Sequence, residues 1–454
     1  MADYEVKLTL PSIPKDEFYE DYVAAILSVC GLFLERRINL NDPINILELD
    51  IVTTKFFQDH TEKTLSEIKS GDWGLTDVFK VRGWLDYLRY PKASFVVLDN
   101  QKQKFGEYQN VAASLQIDLL NIPKKDDGGL DESELLKQFG ISSIDKNIYE
   151  CAIPTLRYAY CMERLMVEKY LKPLAKDPNG LEGYGRLEEY IHQIRDYSFF
   201  ENDVHKRLLS VFGSFQEYYH ITARIDKEKH TGEYDEDYDN GLTETSFKAL
   251  YYDVPAKQSP LHIALYAEMF NRLIMLKLVV EESIVDKDLK GLMRTLTRLQ
   301  LPANIKGGID KLSVYPHYHL FPVLWQNFVF VLGGFLLKDK LEEEYHILSA
   351  LSGVPEDEVS AALDAFDLLF PIPDGSWLID RPQTQIRILQ FMPLPFSGLG
   401  ANFRRLYYRT EDKEVDYSYL NSVLSGKYTV SDLVKFNNLA IEYLSKAKDL
   451  KVKK

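Results

Sequence analysis

The stretch "ILELDIVTTKFFQDHTEKTLSEIKSG", residues 46–71, contains the pattern that decides the N-terminal fold. Apolar and polar residues alternate on both sides of a polar centre, which is typical of two strands joined as a hairpin. We predict one strand over residues 45–52 and a second over residues 63–70, paired antiparallel. The segment between them, "FFQDHTEK", would form the connection.

This hairpin places two carboxylates and an ammonium group at the ends of apolar runs. Alternate residues of a strand share a face, so Asp50 shares a face with Glu48, and Glu67 shares a face with Lys69. The opposite face of the first strand would carry Leu47, Leu49 and Ile51. If the polar ends lie level, Asp50, Glu67 and Lys69 converge within a few ångströms. Two carboxylates there would form an oxygen-ligand site that suits Mg²⁺.

The elements around the hairpin indicate an α/β domain. Apolar residues at helical spacing predict a helix over "FYEDYVAAILSVCGLFLE", residues 18–35, with Glu20 on or beside its buried face. After the hairpin we predict, in order, helix 75–89, strand 93–100, helix 106–116 and strand 116–122.

These residues resemble the PD-(D/E)XK phosphodiesterase superfamily, the fold of many restriction endonucleases and Holliday-junction resolvases. The resemblance covers roughly residues 14–122 and is carried by Asp50 in "ELDIV", Glu67 and Lys69 in "EIKSG", and Glu20 in "FYEDYVAAIL". It implies a restriction-endonuclease-like domain with a mixed sheet flanked by helices.

The resemblance also implies a chemistry. Asp50, Glu67 and Lys69 would be catalytic, with Glu20, Asp50 and Glu67 as ligands of Mg²⁺, for which Mn²⁺ would substitute. A metal-bound water would attack a nucleic-acid phosphodiester in line, most readily in DNA, while Lys69 orients the water or stabilises developing charge. Glu48 would be either a supporting carboxylate or merely a polar surface residue.

Composition sets wider bounds on the class of protein. The chain has 454 residues, is 45% hydrophobic and carries a net charge of -15, which argues against a broad, non-specific nucleic-acid surface but leaves room for a local groove. Three cysteines without a C-x-x-C pair exclude a disulfide framework and a four-thiolate zinc site built by this chain alone. The N-terminus lacks the pattern of a secretory signal. We therefore expect a cytoplasmic protein.

The remainder of the chain is predicted to be mostly helical. We place the nuclease-like domain at residues 1–125, a Gly- and charge-rich linker at 126–148, and a helical recognition or regulatory module at 149–454. The apolar stretch from Leu320 to Leu337 holds Pro322, Gln326 and Asn327, so we predict a buried core helix and no membrane partner.

Residues 344–391 have the rhythm of a winged-helix-like element: a short helix, a Gly turn, a second helix opened by "PEDE", and a Gly-containing hairpin through Trp377. The second helix would be the recognition helix. It carries no basic residue but holds Glu356, Asp357, Glu358 and Asp364. Because these carboxylates repel phosphate, we predict a packing or protein-contact role.

Other patterns favour structural roles. Arg186 and His192 match the loose spacing of HEPN ribonucleases, but six positions do not share a helix face. The run "YDEDYDNGLTETS" lacks the Gly and Glu that a calcium loop needs at positions six and twelve. His317 and His319, without an acidic or Cys partner nearby in sequence, are expected to be core or surface histidines. Lys80 and Arg82 are expected on a solvated helix face.

The interpretation that unites these observations is a metal-dependent nuclease with a helical module. The helical region would provide contacts for a homo-oligomer or a protein partner, and fusions of this type often serve microbial genome defence or DNA processing. A second interpretation stays open: a non-catalytic binding or scaffolding protein that retains the nuclease fold. Metal-dependent cleavage separates the two.

Overall fold

A computed structural model provides the structure of the chain. The residues it describes are 13–40, 47–100, 102–141, 172–177, 182–214, 261–286, 314–332 and 341–369, with single residues or short stretches between 152 and 167 and at 312, 334, 336–337 and 378–379.

The N-terminal region is a five-stranded mixed sheet flanked by helices, which confirms the predicted architecture of this part. The strands are β1 (Phe33–Leu40), β2 (Leu47–Phe56), β3 (Thr61–Lys69), β4 (Ala93–Leu98) and β5 (Ile117–Ile122). The helices are α1 (Glu17–Val29), α2 (Leu75–Leu88), α3 (Phe105–Ser114) and α4 (Ser133–Gln138). The strand order is β1-β2-β3-β4-β5, antiparallel from β1 to β3 and parallel from β3 to β5. Helices α2 and α3 form the crossovers that the parallel strands require.

The predicted hairpin is confirmed as β2 and β3. These strands pair antiparallel from Phe56↔Thr61 to Ile51↔Ser66. The turn is shorter than the sequence pattern predicted because pairing extends to Phe56, and Phe57 N donates to His60 O at 3.0 Å.

The first helix ends earlier than predicted. Residues 18–35 were expected to be helical throughout, but α1 ends at Val29 and Phe33 begins strand β1. Gly31, at φ 72°, adopts the left-handed conformation that terminates a helix at low cost only in glycine. Leu34, expected on the helix face, is therefore a strand residue.

Two hydrophobic cores lie on either side of the sheet. The α1 core combines α1 and the helical region with sheet residues such as Ile51, Ile68 and Val96. The α2 core combines α2 and α3 with sheet residues such as Leu65 and Phe95. Because the α1 core includes residues of the C-terminal helices, the helical region packs directly on one side of the sheet.

The described helical region begins after α4. Its helices are α5 (Lys172–Ala175), α6 (Glu182–Arg195), α7 (residues 204–214), α8 (Leu261–Asp286), α9 (Phe321–Phe330), α10 (Leu341–Ser352) and α11 (Glu356–Leu369), with 3₁₀ turns at Tyr197–Phe200 and Tyr318–Leu320. The predicted linker at 126–148 contains α4, whose Leu135 is fully buried and whose Gln138 donates to Asp118 Oδ2 at 2.7 Å.

Helix α9 covers the first part of the stretch Leu320–Leu337 that was predicted to be a buried core helix, and all ten of its residues are buried. The end of that stretch, Leu336–Leu337, is a strand and not part of the helix. Its Gln326 holds the chain at the start of β1: Oε1 accepts from Leu34 N at 2.7 Å, and Nε2 donates to Leu32 O at 3.1 Å. Among the described helices, none is both long enough and apolar enough to span a membrane.

The first two helices of the predicted winged-helix-like element are α10 and α11. The described strand β7 (Leu378–Ile379) pairs in parallel with β6 (Leu336–Leu337), which precedes both helices. Trp377 and the rest of the predicted hairpin lie outside the described residues.

Candidate functional site

Asp50 lies at the point where the β2–β3 hairpin stops pairing. The described backbone pairs end at Ile51↔Ser66, although β3 continues to Lys69 beside β4. One step beyond the last pair, Asp50 Oδ2 accepts a hydrogen bond from Ile68 N at 2.7 Å. A side-chain oxygen thus serves a backbone donor that a paired strand would otherwise satisfy.

At the level of Asp50, the inward-facing residues of β1 and β2 change from one hydrophobic core to the other. Leu34 and Ile51 lie in the α1 core, whereas Ile38 and Leu49 lie in the α2 core. Arg37, between Leu34 and Ile38, has a φ of 55°, which interrupts the extended conformation of β1. The expectation that Ile51 shares a face with Leu47 and Leu49 was therefore wrong.

Glu67 and Lys69 lie together on β3, as the alternation predicted. Lys69 Nζ is 2.7 Å from Glu67 Oε1. Glu67 is 2% exposed, and among the described residues its carboxylate finds no donor beyond Lys69 other than the Asp50 carboxyl, which donates only while it is protonated. This carboxylate is therefore fixed by Lys69 on one oxygen, and its buried Oε2 has no donor once Asp50 is ionised.

The electrostatics tie Asp50 and Glu67 to each other. Burial raises the pKa of Asp50 well above its usual range, and the neighbouring Glu67 and Glu20 raise it further. The Ile68 N–H and Lys69 oppose this rise. Burial also raises the pKa of Glu67, with the ammonium of Lys69 acting against it. Without a cation beyond those of the protein, these two carboxyls resist full ionisation.

Glu67 and Asp50 raise the pKa of Lys69 and so favour its charged form. Burial alone would lower its pKa, but the carboxylates of Glu67 and Asp50 outweigh burial and raise the pKa. Lys69 is therefore a stable ammonium at neutral pH, suited to hydrogen-bond donation and charge stabilisation rather than to accepting a proton.

Glu20 reaches the edge of this site from α1 but is held by an arginine. Its Oε2 accepts from Arg37 Nη1 at 2.9 Å. Burial raises the pKa of Glu20; the Arg37 guanidinium lowers it, and Asp21 and Glu48 raise it. Glu48 itself is exposed. The structure thus brings all three predicted ligands into one electrostatic neighbourhood, with Glu20 already paired.

The pair Asp50 and Glu67 fits a hard divalent cation. Mg²⁺ is commonly held by one or two carboxylates together with waters and substrate oxygens. The unsatisfied, buried Oε2 of Glu67 supplies a donor atom for such an ion. Within the described ranges, no group of three or more His, Cys, Asp and Glu side chains is arranged to hold a metal ion.

Helix α2 carries two basic residues, Lys80 near the site and Arg82 away from it. Lys80 Nζ lies 4.4 Å from the centre of the Trp84 ring, and Lys80 is near enough to Glu67 to help lower the pKa of that carboxyl. Arg82 bonds Asp86 on its own helix and Gln116 before β5. The exposed Lys80 thus borders the site, whereas Arg82 joins two elements of the fold.

Several other candidates have structural partners. His192 on α6 bonds Asp196, and Asp196 Oδ1 in turn accepts from Asn39 N on β1 at 3.0 Å. His317 Nδ1 lies 2.8 Å from Glu358 Oε1 on α11, an acidic partner that sequence proximity did not reveal. The acidic run at 234–246 lies outside the described residues.

A buried charge network next to the site was missed at the level of sequence. Glu35 on β1 binds Arg207 on α7, and its Oε2 lies 2.7 Å from Lys277 Nζ on α8. Lys277 also lies 3.2 Å from Glu281, which lies 3.6 Å from Lys63 on β3. The only local signal was three consecutive charged residues, Glu35 to Arg37, in a strand whose other residues are apolar except for Asn39.

Comparisons with protein-family models, with curated proteins and with solved structures found no match to this chain.

Proposed function

We propose that this chain is a metal-dependent nuclease of the PD-(D/E)XK type that hydrolyses phosphodiester bonds in DNA. The observation that carries the proposal is the convergence of Asp50, Glu67 and Lys69 where the β2–β3 ladder ends. A buried carboxylate oxygen without a partner, such as Glu67 Oε2, is costly unless a cation or donor binds it. A divalent cation between the two carboxylates removes that cost.

The fold supports this proposal in outline. A five-stranded mixed sheet with helices on both sides is compatible with the restriction-endonuclease-like architecture that the motif implies. In this architecture the candidate residues lie on adjacent strands, so small shifts of the hairpin do not separate them.

The mechanism assigns each side chain a separate task. Asp50 and Glu67 would hold Mg²⁺, or Mn²⁺ in its place, and the ion would supply Lewis-acid chemistry. Lys69, kept charged by Glu67, would orient the attacking water and stabilise charge on the phosphate oxygens. The water oxygen would bond to phosphorus and give up one proton to solvent, while the bond to the leaving oxygen breaks and that oxygen takes up a proton from solvent.

The helical region would recognise a ligand or control the nuclease. Its direct bonds to β1, through Glu35 and Asn39, provide a physical route from that region to the sheet. This region also remains the candidate surface for self-association or for a protein partner, in a cytoplasmic protein of genome defence or DNA processing.

The direct test is cleavage by the purified chain. Supercoiled plasmid, linear duplex, single-stranded DNA and RNA are incubated with Mg²⁺, Mn²⁺ or EDTA. We expect at least one DNA substrate to be cleaved in the presence of metal, and we expect EDTA to stop this cleavage. Absence of cleavage together with absence of Mn²⁺ binding by calorimetry contradicts the proposal.

A non-catalytic role is the second candidate, and one observation favours it. Each candidate carboxylate already has a protein partner: Asp50 has Ile68 N, Glu67 has Lys69 and Glu20 has Arg37. A scaffold that retains the fold would keep such internal pairs without needing metal. Nucleic-acid binding that is unaffected by divalent cations, with no cleavage, supports this candidate.

A further inference from the structure

Arg37 occupies an unusual position in the edge strand. It lies between the paired positions Arg36↔Ile51 and Ile38↔Leu49, and is therefore level with Asp50. Its φ of 55° is rare for a side-chain-bearing residue and strains the backbone. Strain of this kind persists where surrounding contacts enforce it, often at functional sites.

Contacts on both sides of Arg37 hold the strand in place. Two residues before it, Glu35 is bound by Arg207 and Lys277, and all three are almost fully buried. Two residues after it, Asn39 N donates to Asp196 Oδ1. Contacts with the helical region thus fix β1 on both sides of Arg37. In this conformation the Arg37 guanidinium binds Glu20.

From this geometry we propose that Arg37 is a phosphate-binding residue of the site, and that it exchanges Glu20 for a phosphate group of the nucleic acid. In the free protein, Arg37 neutralises Glu20. When a phosphate binds the Arg37 guanidinium, Glu20 loses its ion pair and becomes available, beside Asp50, as a metal ligand. The inference rests on the proposed nuclease function and adds the order in which the site assembles.

Charge explains why such an exchange is favourable. Glu20, Glu48, Asp50 and Glu67 form an acidic neighbourhood that repels a phosphodiester. Lys69 is paired with Glu67 and Lys80 borders the site from α2, so Arg37 adds a further cation on the side of Glu20. A guanidinium binds phosphate with two parallel hydrogen bonds, an arrangement at least as strong as the one hydrogen bond that Arg37 donates to Glu20. The freed carboxylate then adds a ligand only when substrate is present.

The test uses two variants with opposite expected effects on the full chain. Arg37→Met frees Glu20, so without nucleic acid we expect Mn²⁺ to bind about tenfold more tightly, while a fluorescent DNA duplex in EDTA binds about tenfold more weakly. Glu20→Gln removes the carboxylate that Arg37 binds on α1 and one potential metal ligand, so Mn²⁺ binding should weaken and duplex binding in EDTA should strengthen. Calorimetry measures the metal and anisotropy measures the DNA, neither of which requires turnover.

Arg82→Met is the matched control, because it removes one guanidinium whose partners are Asp86 and Gln116. It should leave Mn²⁺ affinity unchanged and reduce duplex binding by less than Arg37→Met. Arg37→Lys should restore much of the duplex affinity if the positive charge is what binds phosphate. Thermal melting identifies any variant that fails to fold, in which case Glu20→Gln alone decides.

The results separate this inference from the function it rests on. If wild type binds Mn²⁺ and cleaves DNA but the two variants fail to shift metal and DNA affinity in opposite directions, the exchange is wrong and the nuclease proposal stands. If wild type neither binds Mn²⁺ nor cleaves, both are wrong.

Discussion

The carboxylate of Asp50 accepts a hydrogen bond from the backbone N–H of Ile68 at 2.7 Å, immediately beyond the last described backbone pair of the β2–β3 hairpin. This bond sets one Asp50 oxygen on the backbone of β3 and places the carboxyl beside Glu67. The candidate site is therefore built where the β2–β3 hairpin stops pairing.

Lys69→Met should separate chemistry from metal binding. The change removes the ammonium but leaves both carboxylates, so we expect cleavage to fall by about 10² to 10³-fold while Mn²⁺ still binds. Asp50→Ala should lose both. Lys104→Met, at an exposed ion pair with Glu107, is the control and should behave as wild type. Wild-type cleavage by Lys69→Met would remove Lys69 from the mechanism.

Asp50→Asn should stabilise the metal-free protein at neutral pH. Folding raises the pKa of Asp50, so the cost to stability grows as the pH rises above the unfolded value of about 4 and is complete above the folded pKa, whereas below pH 4 it vanishes. Asparagine keeps an acceptor for Ile68 N without the charge. We expect Tm in EDTA to rise by about 1 to 2 °C at pH 8 and the gain to disappear toward pH 4.

With Mn²⁺ added, wild type should have a higher Tm than Asp50→Asn, because the ion stabilises wild type by binding its folded state. Thermal scans at several pH values, with and without metal, make the comparison. An Asp50→Asn protein that is less stable than wild type in EDTA at pH 8 would indicate a purely structural carboxylate.

Glu35→Gln should destabilise the chain strongly. Burial opposes ionisation of Glu35, but Arg207 and Lys277 prevail and hold its pKa far below the usual range. Removing one member of a buried charge network leaves the others uncompensated, at a cost of about 3 to 5 kcal/mol. Urea unfolding measures the loss, with Glu107→Gln at an exposed ion pair as the control.

The pH dependence of that loss has a defined sign. A carboxyl with a lowered folded pKa contributes stability above its unfolded pKa of about 4.3 and loses it as the pH falls toward the folded value. The difference between wild type and Glu35→Gln should therefore be full at pH 7 and shrink below pH 4. A difference that is constant across this range would contradict the network.

Helix α11 should not bind nucleic acid. Its exposed carboxylates include Glu356 and Asp357, whereas Glu358 is buried against His317 and would destabilise the fold if reversed in charge. Changing Glu356 and Asp357 to Lys should leave DNA affinity equal or raise it, with a steeper salt dependence. A clear loss of duplex binding in anisotropy titrations would show that this helix contacts the substrate.

The alternation along β2 and β3 predicted the hairpin and the proximity of Asp50, Glu67 and Lys69, but it assigned Ile51 to the wrong face of β2. A strand has a side-chain period of two, so neighbours on one face can be assigned from local sequence. The helix over residues 75–89 and the strand over residues 93–100 followed from the same kind of local periodicity.

Tertiary structure decided what local periodicity does not encode. Phe33 to Leu40 carries apolar residues that suit a helix or a strand, and pairing with β2 makes it a strand. The break in alternation at Arg37 depends on backbone strain that contacts with the helical region enforce. Lys277 donates a hydrogen bond to Glu35, 242 residues away, because helix α8 packs against β1. The sequence alone determined which residues form the candidate site; long-range packing decided that Arg37 holds Glu20 within it.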